Sequence, residues 1–277
     1  MTYREALTVT TSLLKEAGVP EPSLDAWYLL SHAAQLSRSD FYLREEEELT
    51  EEEQKHMEIA VKERVRRVPL QYILGTQEFM GLSFSVNENV LIPRQDTEVL
   101  AEEAIRFLPP DGRLLDLCTG SGCIALTVKC KVPGALVAAS DISKTAIMTA
   151  KENQKALEAT VEWVVSDLFS GIRGTFDVIT CNPPYIPTEV IRTLQPEVRD
   201  FEPREALDGG ADGLDFYRRI VPEAGSFLAE GGVLLLEIGY DQGEAVSGLM
   251  EEAGFEEIRV IRDLAGKDRV VKGKKHV

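Results

Sequence analysis

The sequence predicts an α/β protein in which a doubly wound, mainly parallel, seven-stranded sheet follows a small N-terminal helical domain and a linking β-hairpin. Three observations predict this architecture. Apolar residues recur at helical spacing over the first 75 positions, alternate with polar residues between 76 and 95, and form short runs separated by helical stretches from 96 onward. We therefore expect domains at residues 1–75, 76–95 and 96–277, the second being the hairpin.

The first 75 residues predict a small helical bundle. Gly18 and Pro20 end a first helix whose inward face is Tyr3, Leu7, Thr10, Leu14 and Ala17. Ser23 is expected to cap a second helix, and Thr50 with Glu53 forms a capping box for a third. A solvated helix face accounts for a basic cluster near the end of the third helix, made of Arg64, Arg66 and Arg67.

Residues 76–95 predict the hairpin. Leu82, Phe84 and Val86 alternate with polar residues, as in a half-buried strand. Asn87-Glu88-Asn89 is turn material, so the second strand is expected at Val90-Leu91-Ile92, ended by Pro93.

Seven apolar runs predict the strands of the main sheet. They cover residues 113–117, 135–139, 161–165, 176–180, 233–238, 257–261 and 269–272. Helical stretches separate most of them, which is typical of parallel pairing. The last two runs lie only a few residues apart, and a parallel crossover needs about a dozen residues, so one antiparallel strand is expected at the C-terminal end.

The chain is acidic, with a net charge of −17 at pH 7 and a pI near 4.7. Proteins that hold a nucleic-acid backbone usually carry a basic patch, so this balance argues against direct nucleic-acid binding. No apolar run reaches the roughly 18 residues of a membrane span, and no apolar signal core follows the N-terminus. We expect a cytoplasmic monomer with no membrane partner.

The cysteines predict no metal site. Cys118, Cys123, Cys130 and Cys181 form no Cys-x-x-Cys pair, and the chain has only three histidines. We expect reduced cysteines that act as small hydrophobes. A catalytic thiol is the alternative, but no histidine stands in a partner motif.

A glycine turn predicts a ligand site at the end of the first strand of the sheet. Cys118-Thr119-Gly120-Ser121-Gly122 leads from that strand into a helix, so small residues and free amides face the ligand. The turn lacks the third glycine of a dinucleotide motif and the Gly-Lys-Ser/Thr of a P-loop. A turn serving only chain reversal is the alternative.

Two further strand ends carry ligand-suitable groups. Asp141 ends the second strand and is placed to accept from both ribose hydroxyls, although it could instead cap the next helix. Asp167 follows the third strand and could accept from an adenine amine while Leu168 packs on the ring; an ordinary turn aspartate is the alternative. Ligands in open α/β sheets bind at the carboxyl ends of strands, which favours a shared site.

The fourth strand runs into Asn182-Pro183-Pro184-Tyr185, the predicted reacting centre. The Asn182 side-chain carbonyl and the Pro183 backbone carbonyl are expected to accept both hydrogens of one planar NH2 group, with Tyr185 stacked on its plane. Asn182 should border the cofactor as well, and Pro184 the substrate. A stiff strand-ending turn is the alternative.

This arrangement suits alkylation of a poorly nucleophilic nitrogen. Accepting its protons pushes electron density onto the nitrogen and fixes the lone-pair direction. Displacement of a sulfonium methyl then depends on alignment and electrostatics, and the alkylated nitrogen is acidic enough to need no strong base. We therefore expect an S-adenosylmethionine-dependent methyltransferase acting on an amide or amino nitrogen.

Over nearly its whole length, the chain resembles the HemK/PrmC family, the glutamine N5-methyltransferases of bacterial class 1 peptide chain release factors. The resemblance rests on Pro69-Leu70-Gln71-Tyr72-Ile73-Leu74-Gly75, Glu78-Phe79, Leu91-Ile92-Pro93-Arg94-Gln95-Asp96-Thr97-Glu98, the glycine turn with Asp116 and Leu117, Asp141, the Asn-Pro-Pro-Tyr motif and Leu207-Asp208-Gly209-Gly210. It implies that the substrate is the glutamine of a Gly-Gly-Gln motif and that the helical domain helps to dock the release factor. Cys118 and Gln95 depart from the usual glycine and proline, and a positive φ at Cys118 would cost strain.

Two other functions stay open. Adenine-N6 and guanine-N2 nucleic-acid methyltransferases share Asn-Pro-Pro-Tyr, but they should carry a basic stripe beside the site. A non-catalytic binding module should have lost Asn182 or the glycine turn, and both are present.

Overall fold

A computed structural model describes residues 1–276 of the chain. Its helices are α1 (Tyr3–Glu16), α2 (Pro22–Ala34), α3 (Arg38–Arg44), α4 (Glu51–Val65), α5 (Leu70–Leu74), α6 (Gln95–Phe107), α7 (Cys123–Lys131), α8 (Lys144–Ala156), α9 (Thr188–Ile191), α10 (Pro196–Phe201), α11 (Asp215–Phe227) and α12 (Gly243–Glu252). Its strands are β1 (Thr76–Phe79), β2 (Leu82–Ser85), β3 (Arg113–Leu117), β4 (Leu136–Asp141), β5 (Glu162–Val165), β6 (Phe176–Cys181), β7 (Leu228–Glu237), β8 (Phe255–Arg262) and β9 (Asp268–Lys275).

These elements divide into two compact units. The first comprises Met1–Thr76 and Gln195–Phe201, so it contains α1 to α5 and α10. The second comprises Gln77–Leu194 and the described residues from Glu202 onward. No helix in the described part of the chain is long and apolar enough to cross a membrane.

Side-chain caps set the helix starts of the first unit. The predicted box before α4 is confirmed: the Glu53 amide donates to Thr50 Oγ1 at 3.2 Å, and the Thr50 amide donates to Glu53 Oε2 at 2.7 Å. The Ser23 cap is wrong, because Pro22 already begins α2 with its φ fixed at a helical value. Ser37 caps a helix that the apolar spacing did not predict, α3.

The basic cluster at the C-terminal end of α4 is not the solvated face that the sequence suggested. Arg64 is 4% exposed; its Nε lies 2.6 Å from Asp25 Oδ2, and its Nη2 lies 2.9 Å from Glu197 Oε1. Arg67 lies 2.6 Å from Glu197 Oε2. Burial alone would raise the pKa of Glu197, but hydrogen bonds from Arg67 and Arg64 outweigh it and lower that pKa. Only Arg66 fits a solvated role.

The hairpin exists, but its strands are β1 and β2, so the predicted turn and second strand are wrong. The chain turns at Met80-Gly81, where φ is 50° and 78°. Two consecutive positive φ values match the twist of a two-residue hairpin turn, which explains the glycine. Val90 and Ile92 are buried in irregular backbone, so their apolar character reflects packing rather than strand pairing.

The main sheet has the predicted seven strands, in the order β5-β4-β3-β6-β7-β9-β8. β3 pairs in parallel with β4 on one side and β6 on the other. β9 is antiparallel to both β7 and β8, which confirms the antiparallel prediction and places that strand inside the sheet. Chain order reverses between β3 and β6, and such a switch point opens a crevice at the carboxyl ends of the strands.

Helices cover both faces of this sheet. Tyr217 and Ile220 of α11 and Val246 of α12 pack in the apolar cluster on one face. Leu100 of α6 and Leu126 of α7 pack in the cluster on the other. Because β3 and β6 are buried on both faces of the sheet, their sequences are continuous apolar runs. The positions of these runs in the sequence therefore indicate where the crevice lies.

Candidate active site

A cavity of about 300 Å³ lies at the carboxyl ends of β3, β4, β5 and β6. The predicted site residues that line it are Cys118, Thr119, Gly120, Ser121, Asp141, Asp167, Leu168, Asn182 and Pro184. Gly122, Pro183 and Tyr185 are not among the lining residues. Three separate strand ends and residues of the Asn-Pro-Pro-Tyr motif thus meet at one cavity, as the switch-point topology requires.

The backbone of the glycine turn adopts left-handed conformations. Cys118 has φ 54° and Gly120 has φ 55°, so the expected strain at Cys118 is present. A Cβ on Gly122 would lie 2.8 Å from the Trp163 ring, so only glycine fits there. A Cβ on Gly120 would meet no atom within 4 Å, because that residue faces open space.

Asp116 holds the glycine turn in place through hydrogen bonds, a role that the sequence analysis did not predict. Its carboxylate accepts from Thr119 Oγ1 at 2.6 Å and from Thr180 Oγ1 at 2.8 Å, which links β3 to β6. Burial raises the pKa of Asp116 to about 7. The sequence signal that could have indicated this role is an acidic residue within a buried, mainly apolar strand.

Asp141 is tied to two backbone amides rather than acting as a helix cap. Gly120 N donates to its Oδ2 and Ser143 N to its Oδ1, each at 2.9 Å. The cap of α8 is Ser143, whose Oγ accepts from Ala146 N. Burial raises the pKa of Asp141. A carboxylate oxygen has two acceptor directions, so each can still receive a ligand hydroxyl.

Asp167 and Leu168 form the third strand end of the cavity. Arg219 Nη2 lies 2.8 Å from Asp167 Oδ1, so this carboxylate already has a cationic partner. Leu168 is buried with φ 47°, and its carbonyl accepts from Ser166 Oγ at 3.0 Å. An amine donor at Asp167 would have to share the carboxylate with Arg219.

The Asn-Pro-Pro-Tyr loop is anchored at both ends. Asn182 Nδ2 donates to Thr97 Oγ1 at 3.3 Å, and Tyr185 OH donates to Glu237 Oε1 at 3.4 Å. The Tyr185 carbonyl accepts from Gln242 Nε2 at 2.9 Å. Gln242 and Glu237 come from elements distant in sequence, so no local pattern pointed to them.

The Leu207-Asp208-Gly209-Gly210 segment braces the same loop. Ile186 N donates to the Leu207 carbonyl at 3.0 Å, and Gly209 N donates to the Ile186 carbonyl at 2.9 Å. A Cβ on Gly209 would lie 2.8 Å from Tyr185 Cα. Close packing against the Asn-Pro-Pro-Tyr motif therefore requires glycine at position 209.

Residues just before and within α6 complete the wall. Leu91, Pro93, Arg94 and Thr97 line the cavity. Arg94 is ion-paired with Glu202, whose pKa burial raises. Asp96 lies 2.9 Å from Arg269 of β9, which fixes the start of α6 to the sheet.

The thiols near the cavity are poorly suited to nucleophilic catalysis. Burial raises the pKa of Cys123 to about 12 and that of Cys181 well above its usual value. Cys118 lines the cavity but has no histidine beside it in a partner motif. Among residues 1–276, no group of three or more histidine, cysteine or acidic side chains is placed to hold a metal.

Comparisons with known proteins agree with this geometry. Residues 5–75 match the PrmC N-terminal domain, and residues 95–194 match the methyltransferase small domain. A release factor glutamine methyltransferase from Geobacter sulfurreducens is 46% identical over 274 residues, covering 99% of this chain and 96% of that protein. One from Caulobacter vibrioides is 41% identical over 281 residues, covering 100% and 97%. A methyltransferase structure from Pyrococcus furiosus, 18% identical, shares the fold with a TM-score of 0.56 over 72% of this chain and 91% of that one.

Proposed function

We propose that this chain, which belongs to the release factor glutamine methyltransferase family, methylates the side-chain amide N5 of the glutamine in the Gly-Gly-Gln motif of bacterial class 1 peptide chain release factors. S-adenosylmethionine is the proposed methyl donor. The observation that carries the proposal is the position of Asn182, on the wall of the cavity that also holds Asp141 and the glycine turn. Full-length identity of 46% to a relative of that name supports the substrate.

The cavity suits a nucleoside with a charged tail. Asp141 offers acceptor directions for ribose hydroxyls, Leu168 offers an apolar surface, and the open face of Gly120 lets a ligand approach the backbone. When bound, S-adenosylmethionine supplies an electrophilic sulfonium methyl. The rest of the chemistry is positioning by the chain's own residues.

Asn182 and Pro183 are the proposed acceptors for the two hydrogens of the substrate amide. Accepting both hydrogens turns the nitrogen lone pair toward the methyl group and shifts electron density onto the nitrogen. Tyr185 and Pro184 hold this geometry, since the Tyr185 carbonyl and hydroxyl are both hydrogen-bonded and Pro184 is rigid. The alkylated nitrogen then loses a proton readily, so no histidine is required.

The helical unit is the proposed docking domain for the release factor, acting within a cytoplasmic monomer. Its surface offers apolar contacts, because Tyr28, Tyr42 and Leu43 are 45%, 67% and 83% exposed. Its internal ion pairs neutralise Arg64 and Arg67, so these residues do not form the basic stripe that a nucleic-acid substrate would require.

One transfer assay tests the substrate. Purified enzyme receives labelled S-adenosylmethionine together with a release factor, duplex DNA or ribosomal RNA in parallel reactions. We expect label only on the release factor, and only when its Gly-Gly-Gln glutamine is intact. Label on DNA or RNA with none on the protein would overturn the proposal in favour of a nucleic-acid enzyme, and label on none of the three would favour a binding module.

A further inference from the structure

We infer that Thr97 and Glu237 are positioning residues that fix which end of the Asn182 amide faces the substrate. The inference rests on the proposed function, because it concerns the acceptor for the substrate NH2 group. Neither residue touches the proposed reacting atoms; both act through Asn182.

An asparagine side chain has two ends of nearly equal size and opposite hydrogen-bonding character. Its oxygen accepts, and its NH2 group donates. If the amide turned over, its NH2 would face the NH2 of the substrate, and two donors would oppose each other. Asn182 can therefore serve the reaction in only one of two sterically similar orientations.

Thr97 distinguishes the two orientations. Its Oγ1 accepts from Asn182 Nδ2 at 3.3 Å, which leaves the Asn182 oxygen for the cavity. Thr97 is 2% exposed, so bulk water competes little for this contact. A free hydroxyl could equally donate to the amide oxygen, however, and would then stabilise the wrong orientation.

Glu237 removes that ambiguity by taking the Thr97 proton. This carboxyl ends β7 and is 2% exposed, and its buried Oε2 has no hydrogen-bond donor of good geometry in the described chain, so it is an acceptor still open to the Thr97 hydroxyl. Burial raises the pKa of Glu237, and a hydrogen bond from Thr97 acts in the opposite direction. At a pH above the Glu237 pKa, the carboxylate holds the Thr97 proton, and the Thr97 hydroxyl then presents only lone pairs to Asn182.

The register of the sheet explains why these three residues meet. Cys181 of β6 pairs with Leu236 of β7, so the residues that follow, Asn182 and Glu237, lie at the same level of the sheet. Thr97 reaches them from the first turn of α6. Glu237 also accepts from Tyr185 OH, so one carboxyl orients both ends of the reacting motif.

Substitutions at Thr97 test the inference. Thr97→Val keeps the shape but removes the hydroxyl, and Thr97→Ser keeps the hydroxyl. We expect single-turnover methyl transfer to fall at least about tenfold with valine and to stay within about threefold with serine. Affinity for S-adenosylhomocysteine should stay within about threefold in both. Near-normal transfer by a folded valine variant would overturn the inference.

A double substitution separates orientation from mere packing. In Asn182→Asp the two terminal atoms are both oxygens, so turning the group over changes nothing. Adding Thr97→Val to Asn182→Asp should lower the single-turnover rate of methyl transfer less than about threefold. In the wild-type background the same substitution should lower that rate at least about tenfold. Equal losses in both backgrounds would show that Thr97 only supports the fold. Wild-type transfer to the release factor is measured first; its absence would contradict the proposed function, whereas a normal wild type beside an unaffected valine variant would contradict only the positioning role.

Discussion

The carboxylate of Asp141 accepts the Gly120 amide proton across 2.9 Å, so the end of β4 is fastened to the turn that follows β3. A second amide, that of Ser143, holds the other carboxylate oxygen. Both oxygens are therefore fixed in direction before any ligand arrives. Such preorganisation reduces the ordering cost of binding.

Asp141→Ala should weaken binding of S-adenosylhomocysteine at least about tenfold. Hydrogen bonds to a charged acceptor contribute roughly 1.5–3 kcal/mol each, and the variant lacks that acceptor for the ribose hydroxyls. Isothermal titration calorimetry measures the change. Asp111→Ala, an exposed residue before β3, is the matched control and should bind normally. Unchanged affinity in folded Asp141→Ala would remove Asp141 from the ribose site.

Asn182→Ala should lower the rate of methyl transfer by about a hundredfold while changing cofactor affinity far less. The substitution removes one of the two proposed acceptors for the substrate NH2 group. The substrate nitrogen is then held less accurately in line with the methyl group, which slows the transfer. Asn182→Asp keeps an acceptor, so its loss should be smaller. Single-turnover rates on both variants decide the point, and near-normal turnover by the alanine variant would exclude Asn182 from the mechanism.

Glu237→Gln should alter how stability depends on pH. Burial raises the pKa of Glu237 to about 7, above its ordinary 4.5. Between these values the folded protein keeps a proton that the unfolded chain has lost, so the free energy of unfolding falls as pH rises, and the loss is complete above pH 7. The titratable groups that face Glu237 are Tyr185, Tyr217, Cys123, Arg269 and Asp96.

Glutamine does not titrate, so the variant does not share this loss. As the pH is raised from about 5.5 to about 8.5, its free energy of unfolding should increase by up to about 2 kcal/mol relative to that of the wild type. Asp116 also has a pKa of about 7, but it is common to both proteins and largely cancels. Urea unfolding at the two pH values gives the difference. A stability difference independent of pH would show that Glu237 is charged throughout this range.

Arg64→Ala should destabilise the protein by about 3–5 kcal/mol. The substitution leaves the Asp25 carboxylate without its cation and Glu197 with only Arg67, all in a largely buried setting. Arg66→Ala is the control: its side chain is 62% exposed and paired only with Glu63, so its loss should cost less than about 1 kcal/mol. Equal effects in thermal unfolding would mean that Arg64 is not a buried ionic centre.

Replacing Tyr42 and Leu43 together with serine should impair only the protein substrate. Both side chains are largely exposed on α3, so the change should leave the fold and the cavity intact. We expect kcat/KM to fall about tenfold for an intact release factor and to stay normal for a short Gly-Gly-Gln peptide. A parallel fall for the peptide would place the effect in the active site instead of the docking surface.

The sequence predicted the strands of the sheet and the place where their carboxyl ends meet, because hydrophobic periodicity and sheet topology determine both. Continuous apolar runs located β3 and β6, and the polar residues after them met at one cavity. It did not predict the hydrogen bond of Tyr185 to Glu237, or the pairing of Arg64 with Glu197, because each contact joins residues distant along the chain. Val90 and Ile92 show the same limit, since apolar character predicts burial but does not name the partner.

The interior position of β9 governs when the sheet can be completed during synthesis. Residues Asp268–Lys275 are made last among the strands, yet they pair with β7 on one side and β8 on the other. Until they leave the ribosome, both neighbours present an unpaired edge, the feature most prone to association with other chains. A nonsense codon just before residue 268 would spare every residue that lines the cavity and still yield a chain that aggregates rather than folds.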